Sequence, residues 1–196
     1  MKFFSVMLLS VLVLPMNNVL AGGNVADAEA LIKKSTVEVL DALQADSSQI
    51  QSLVKKLVKP NFSFRKMSSL VLGKHWKKAS SDQKKKFSAQ FRDLLVGTYS
   101  AALVEVAQKV NKNDIKYSSK ATKKNRCKVS SKIKNGSTSV KVDYAMSYKK
   151  GKWKIYNVIV GGVSLVTTYR DEFGKTIKAK GIDGLIGDIA KKNKKG

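Results

Sequence analysis

Apolar and polar positions along this chain fall into two regimes, a period near 3.6 and then a period of two. From Asp27 to Leu43 the apolar residues Ala28, Leu31, Ile32, Val39 and Leu43 recur on one face of a helix. Gln51 to Val58 repeats the pattern with Leu53, Val54, Leu57 and Val58, and ends before Pro60, whose ring disfavours helical backbone in the residue ahead of it. Phe64 to Leu72 reads as a third, short helix stopped by Gly73. Ser80-Ser81-Asp82-Gln83 has the spacing of a capping box, in which the Ser80 hydroxyl and the Gln83 side chain satisfy each other's free amides. The helix it starts is long, and Phe87, Phe91, Leu94, Leu95, Tyr99, Ala102, Leu103, Val106 and Val110 give it one wide apolar stripe.

After Asn113 the period becomes two. Cys127, Val129 and Ile133 alternate with Arg126, Lys128, Lys132 and Lys134, and Asn135-Gly136 is a hairpin signal. Val140, Val142, Tyr144, Met146 and Tyr148 alternate with Lys141, Asp143, Ala145 and Ser147 up to a second turn at Lys149-Lys150-Gly151. Trp153 to Val160 is a strand with apolar residues on both faces, and Ile115-Lys116-Tyr117 supplies a further short strand. Helices at Ser164–Lys178 and Asp183–Lys191, with Gly181 between them, complete the chain. Helices, then a meander, then helices predict an α+β fold, with helices packed on a curved antiparallel sheet and enclosing an apolar cavity.

The segment from Trp153 to Phe173, WKIYNVIVGGVSLVTTYRDEF, holds the most information per residue. A strand is delivered through Gly161-Gly162 onto a helix that begins near Ser164, a junction where backbone must come close to something.

Residues 1–21 read as a signal peptide. Lys2 is a thin positive lead, Phe3 to Leu14 is too short to span a bilayer, and Val19-Leu20-Ala21 fits a small-residue cleavage site. The expected mature protein is one domain, residues 22–196, and only its Lys-rich C-terminus reads as disordered. Lysine and arginine number 38 against 14 acids, a net charge of +24. That surplus fits contact with anionic surfaces, whether phospholipid headgroups, lipopolysaccharide phosphates or nucleic acid. It is almost all lysine, a point charge without the bidentate fork that reads bases, so it describes a solvated surface before it describes a specific site.

Enzyme chemistry fails on inventory. His75 is the only histidine, and it lies at a helix exit without an orienting acid or a nucleophile beside it in sequence. No cluster has metal-ligand spacing, and glycine-rich phosphate loops are absent. Cys127, the only cysteine, falls in an alternating strand as a small apolar residue would. The aromatics on the apolar stripes read either as ordinary core or as ligand lining. A long acyl chain would give the strand with two apolar faces a purpose, since burial returns about 0.8 kcal/mol per methylene and roughly 10 kcal/mol for a whole chain.

Three runs carry a family resemblance. Trp153 to Phe173 resembles the segment WxVYDVxxEGVSLVxxYRxxF of the MlaC (toluene-tolerance) family. Phe64 to Ser80, FRKMSSLVLGKHWKKAS, resembles FxxMxxLVLGxxWRxAS, and Gln83 with Phe87, Phe91, Leu94, Leu95 and Tyr99 resembles QxxxFxxxFxxLLxxTY. With the C-terminal GIDGLI the likeness covers nearly all of the mature chain. Three positions depart from the pattern: Asn157, Gly161 and Ser63 stand where acids are usual.

The resemblance implies a periplasmic phospholipid carrier and no enzyme. Its only ligand is the lipid, with no cofactor, metal or nucleic acid. It works as a monomer between an outer-membrane lipoprotein complex and an inner-membrane ABC transporter with an MCE domain, maintaining outer-membrane asymmetry. The expected lipid lining is Val71, Leu72, Trp76, Phe91, Leu95, Tyr99, Met146, Val160, Val163 and Tyr169. The competing reading is a basic periplasmic polyanion- or nucleic-acid-binding protein.

Overall fold

A computed structural model describes residues 23–135 and 138–194. The expected signal segment, the tip of the Asn135-Gly136 hairpin and the last two residues of the Lys-rich tail lie outside the described residues.

Helix α1 (Val25–Ala45) opens on Asn24, whose side chain accepts from the Ala26 amide, and buries Ala28, Ile32, Leu40 and Leu43. The single helix expected from Gln51 to Val58 is instead split. A 3₁₀ turn at Ser47–Gln49 leads into α2 (Ile50–Leu53), a wider π turn at Val54–Val58, and a second 3₁₀ turn at Lys59–Asn61. The Lys59 amide reaches back to the Val54 carbonyl, and Pro60 follows with no amide of its own, so regular helix cannot continue there. Helix α3 (Phe64–Leu72) ends where sequence places its stop, because Gly73 adopts φ 53° and ψ −124°. One further turn, α4 (Lys74–Lys78), follows.

Helix α5 (Ser81–Lys109) has the capping box in full. The Ser80 amide donates to Gln83 Oε1 at 2.9 Å, and the Gln83 amide donates to Ser80 Oγ at 3.1 Å. Replacing Ser80 with Ala is expected to cost about 1 kcal/mol. A thermal melt should show it as a drop of about 2–4 °C, with Ser80→Gly losing much less. Equal melts for Ala and wild type would mean that packing alone sets where the helix begins.

The sheet is a meander in the order β1-β2-β3-β4-β5, from β1 (Lys116–Lys123), β2 (Arg126–Asn135), β3 (Thr138–Lys149), β4 (Lys152–Val160) and β5 (Val163–Ser164). Residues paired across antiparallel strands share a face. One face therefore carries Tyr117, Cys127, Val129, Ile133, Val140, Val142, Tyr144, Met146, Trp153, Ile155, Val158, Val160 and Val163. The other carries most of the lysines. The β3–β4 turn uses positive φ at Lys150 (52°) and Gly151 (75°), as a tight hairpin of this twist requires.

The glycine junction makes a second such turn, with φ 56° at Gly161 and 89° at Gly162. A Cβ would meet nothing within 4 Å at either position, so backbone conformation and not space is what calls for glycine. The chain doubles back through β5 before α6 (Leu165–Asn193) begins, a reversal the sequence pattern did not contain. Ser164 caps α6 by accepting from the Thr167 amide, and Asn157 Oδ1 accepts from the Val166 amide at 3.2 Å. An amide oxygen is enough for that bond, so the position needs no charge. Gly181, at φ 70° and ψ −177°, divides α6 into the two helices expected.

The Lys-rich end corrects one expectation. It is helical through Asn193, whose side-chain amide donates to the Gln90 carbonyl at 3.0 Å and to Gln90 Oε1 at 2.8 Å. Those bonds tie Lys191 and Lys192 to the body of the domain.

Candidate functional site

The apolar side chains of this domain do not merge into one core. A helical cluster draws only on α3, α5 and α6, from Met67, Val71 and Leu72 through Phe87, Phe91, Leu94 and Leu95 to Tyr169, Phe173, Ile177 and Leu185. A sheet cluster joins Ala28 and Ile32 of α1 to Cys127, Val129, Met146, Trp153 and Ile155. A third cluster, with Leu40, Leu43, Ala107, Val110 and Ile115, ties α1 to the far end of α5. A domain of this size usually has one contiguous core. Here α5 packs extensively on α6, α3 and α1, and only sparsely on any strand.

The two layers converge at one end. Val104 of α5 and Ile133 of β2 are both packed against the third cluster. Beside Val104 on the helix, Leu103 and Val106 are exposed, and across from Ile133 on the sheet so is Val140. Val160 and Val163, which pair with each other where β4 turns into β5, are 42% and 61% exposed on the same face. These five are the exposed large apolar side chains among the described residues. They come from the second half of α5 and from one end of the sheet, an apolar lip on each layer.

The ten expected lining residues divide accordingly. Val71, Leu72, Phe91, Leu95 and Tyr169 are buried in the helical cluster, with Trp76 and Tyr99 packed against it. Met146 is fully buried on the opposite side, in the sheet cluster. Val160 and Val163 stand at the lip. The structure thus brings seven of the ten together and puts Met146 in a separate cluster. Leu103, Val106 and Val140, exposed on the same two layers, were not among the ten, although the α5 stripe running on past Tyr99 and the alternation starting at Val140 both marked them as apolar.

Polar groups near these walls are quiet. Burial, reinforced by the neighbouring Tyr99 hydroxyl, pushes the Tyr169 phenol up to about 12. Burial likewise raises the Tyr144 phenol. Cys127 is buried, and that pushes its thiol up to about 11, far from a reactive thiolate. Trp76 lies between two cations, Arg65 at 5.8 Å and Lys84 at 5.7 Å from its ring centre. Among the described residues no group of three His, Cys, Asp or Glu side chains could hold a metal. No described helix is long and apolar enough to cross a membrane. Two open clefts are lined by other residues: one of about 520 Å³ between α1 and the start of β1, and one of about 220 Å³ at the lysine-bearing end of the sheet.

Known proteins resemble this chain in fold and in sequence. The phospholipid-binding protein of Ralstonia solanacearum, solved in complex with a phospholipid, superposes with a TM-score of 0.74 at 24% identity, over 86% of this chain and 97% of that one. The toluene tolerance protein ttg2D of Pseudomonas putida is 27% identical over 82% of this chain and 80% of its own length. The intermembrane phospholipid transport system binding protein MlaC of Haemophilus influenzae is 24% identical over 74% of this chain and 68% of its own. The sequence pattern of the MlaC protein family matches residues 33–191, taking in the helices α3 to α6 and the whole sheet, and the chain belongs to that family.

Proposed function

We propose that this protein is a periplasmic phospholipid carrier that holds acyl chains between α5 and the apolar face of the sheet. The observation that carries the reading is the division of the core. The helical cluster and the sheet cluster share no residue, and an acyl chain laid between them would join the two as a third apolar component. The lining of this site is Tyr99, Leu103 and Val106 on the helix, with Val140, Val142, Val158, Val160 and Val163 facing them. Phe91, Leu95, Val71, Leu72, Trp76 and Tyr169 form the wall behind α5, and Met146 the wall behind the sheet. Relatives named for phospholipid binding and transport support the same reading.

In this reading the chain is secreted, cleaved after Ala21, and works as a single-domain monomer. It makes and breaks no covalent bond and needs no metal. Lipid passes between an outer-membrane lipoprotein complex and an inner-membrane ABC transporter with an MCE domain, which keeps the outer membrane asymmetric.

Native mass spectrometry of protein purified from the cell envelope tests this directly. The expected spectrum shows one phospholipid mass added to the chain, retained after a high-salt wash. Apolar burial survives salt, whereas binding to a polyanion falls steeply with it. A lipid-free spectrum, together with salt-sensitive retention of nucleic acid, would overturn the carrier reading in favour of the polyanion one.

A further inference from the structure

The outer face of the sheet is the most strongly charged surface in the molecule's strand half. Lys116 pairs with Lys132, and Lys132 pairs with Lys141, so three lysines stand in one row across β1, β2 and β3. Lys120 and Lys128 make a second direct pair. Partners in such rows are about 5 Å apart at Cα, and like charges directly opposite one another destabilise a sheet. Asp143 is the only acidic side chain in the five strands. It is already taken by Lys128 at 3.4 Å, Lys141 at 3.6 Å and the Ser130 hydroxyl. Burial works against ionisation there, but those donors outweigh it and hold the Asp143 carboxyl below its ordinary range. Lys116, Lys132 and Lys134 stand around the cleft of about 220 Å³ that Thr138, Ser139 and one carboxylate, Asp114, also line, so three cations face a single acid there.

We propose that this face docks on an anionic bilayer, with the cleft between Lys116, Lys132 and Lys134 seating lipid phosphates. A plane of phosphates would relieve the repulsion along the lysine row. Lysine point charges suit an array of headgroups, where the position of each phosphate adjusts, better than they suit base edges. Single-stranded nucleic acid would call for exposed aromatics to stack on, and Tyr117, Tyr144, Tyr148 and Trp153 all belong to the opposite face.

The placement also matters. Lys141 lies between Val140 and Val142 in β3, and its carbonyl accepts from the Gly161 amide at 2.9 Å. The lysine row and the apolar lip therefore occupy the same end of the sheet, on opposite faces. A bilayer held by the lysines meets that end, next to the opening through which a tail would pass. The use of docking rests on the carrier reading, but the docking itself does not.

The test compares two triple variants of equal charge. One is Lys116→Gln, Lys132→Gln and Lys134→Gln. The other replaces three exposed helix lysines, Lys85→Gln, Lys175→Gln and Lys178→Gln. Co-sedimentation is measured with vesicles containing phosphatidylglycerol in phosphatidylcholine and with vesicles of phosphatidylcholine alone, and co-purified lipid is weighed by native mass spectrometry. Wild type is expected to bind only the anionic vesicles. The sheet triple should lose affinity on the order of 100-fold, about fivefold per lysine, while the helix triple loses less than about fivefold in all. Co-purified lipid should be unchanged in both.

Equal losses in the two triples would reduce the effect to net charge and overturn the proposal. So would binding to heparin without binding to anionic vesicles, or lipid lost from the sheet triple alone, which would place these lysines inside the carrier site. Absence of co-purified lipid from every protein, wild type included, would instead count against the carrier reading while the vesicle comparison still stood.

Discussion

Val160→Trp should purify without its stoichiometric phospholipid, and Leu103→Trp should do the same from the opposite wall. Val160 is 42% exposed and Leu103 38%, and neither belongs to any of the three clusters. An indole added at such positions displaces no packed neighbour, so the folding cost should stay within about 0.5 kcal/mol. It would, however, fill the space a tail needs. Each methylene kept out of the site forfeits about 0.8 kcal/mol of lipid binding, so blocking most of a chain removes most of the affinity. Leu95→Trp, at a buried position of the helical cluster, is a poorer probe, because overpacking there costs roughly 1–3 kcal/mol of stability on its own account. The measurement is phosphate in an organic extract per mole of protein, beside a thermal melt. Normal melts with wild-type phosphate content in both variants would mean that the tails do not run between α5 and the sheet.

What the sequence disclosed and what it withheld follow a physical division. Interactions closed within a few residues were legible: the Ser80–Gln83 box, the Gly73 stop, the turn at Lys150-Gly151 and the kink at Gly181. The stripe of α5 told which of its residues are apolar-facing, but not which neighbours they meet. Phe91 and Met146 both read as inward, yet one lies in the helical cluster and the other across the domain against α1. Periodicity gives the direction of a side chain and carries nothing about the partner layer. The winding around Val54–Val58 was illegible because the apolar spacing and Pro60 make opposing demands, and only tertiary packing resolves them. The C-terminal lysines suggested disorder by charge alone, and the contrary signal was one amide, Asn193, whose partner Gln90 lies far away in sequence. Exposed apolar residues at the lip had a sequence signal in Val140, Val160 and Val163, but alternation marks such positions as core. Only the structure shows that the described chain leaves them exposed.

Phe91→Ala should be among the most destabilising substitutions in the protein, and its effect should be blind to lipid. Phe91 is fully buried. It stacks on Phe87 at 5.6 Å and meets the edges of Tyr169 at 5.2 Å and Phe173 at 5.8 Å. These four rings hold α5 against α6, and α5 depends on that contact because it gains little from the sheet. Truncating a phenylalanine in such a setting costs about 3–5 kcal/mol. For a domain of this length that is a fall in Tm of roughly 10 °C. In the proposed carrier Phe91 belongs to the wall behind the site, so lipid-loaded and delipidated protein should lose the same amount. If Phe91 instead touched the ligand, a tail could settle into the vacated space. The loaded form would then keep much of its stability, since a ligand bound only to the native state raises it by mass action. Melts of the variant and the wild type, each with and without bound lipid, separate the two cases. A loaded Phe91→Ala protein that melts near wild type while its stripped form collapses would move Phe91 from the supporting wall into the lipid site.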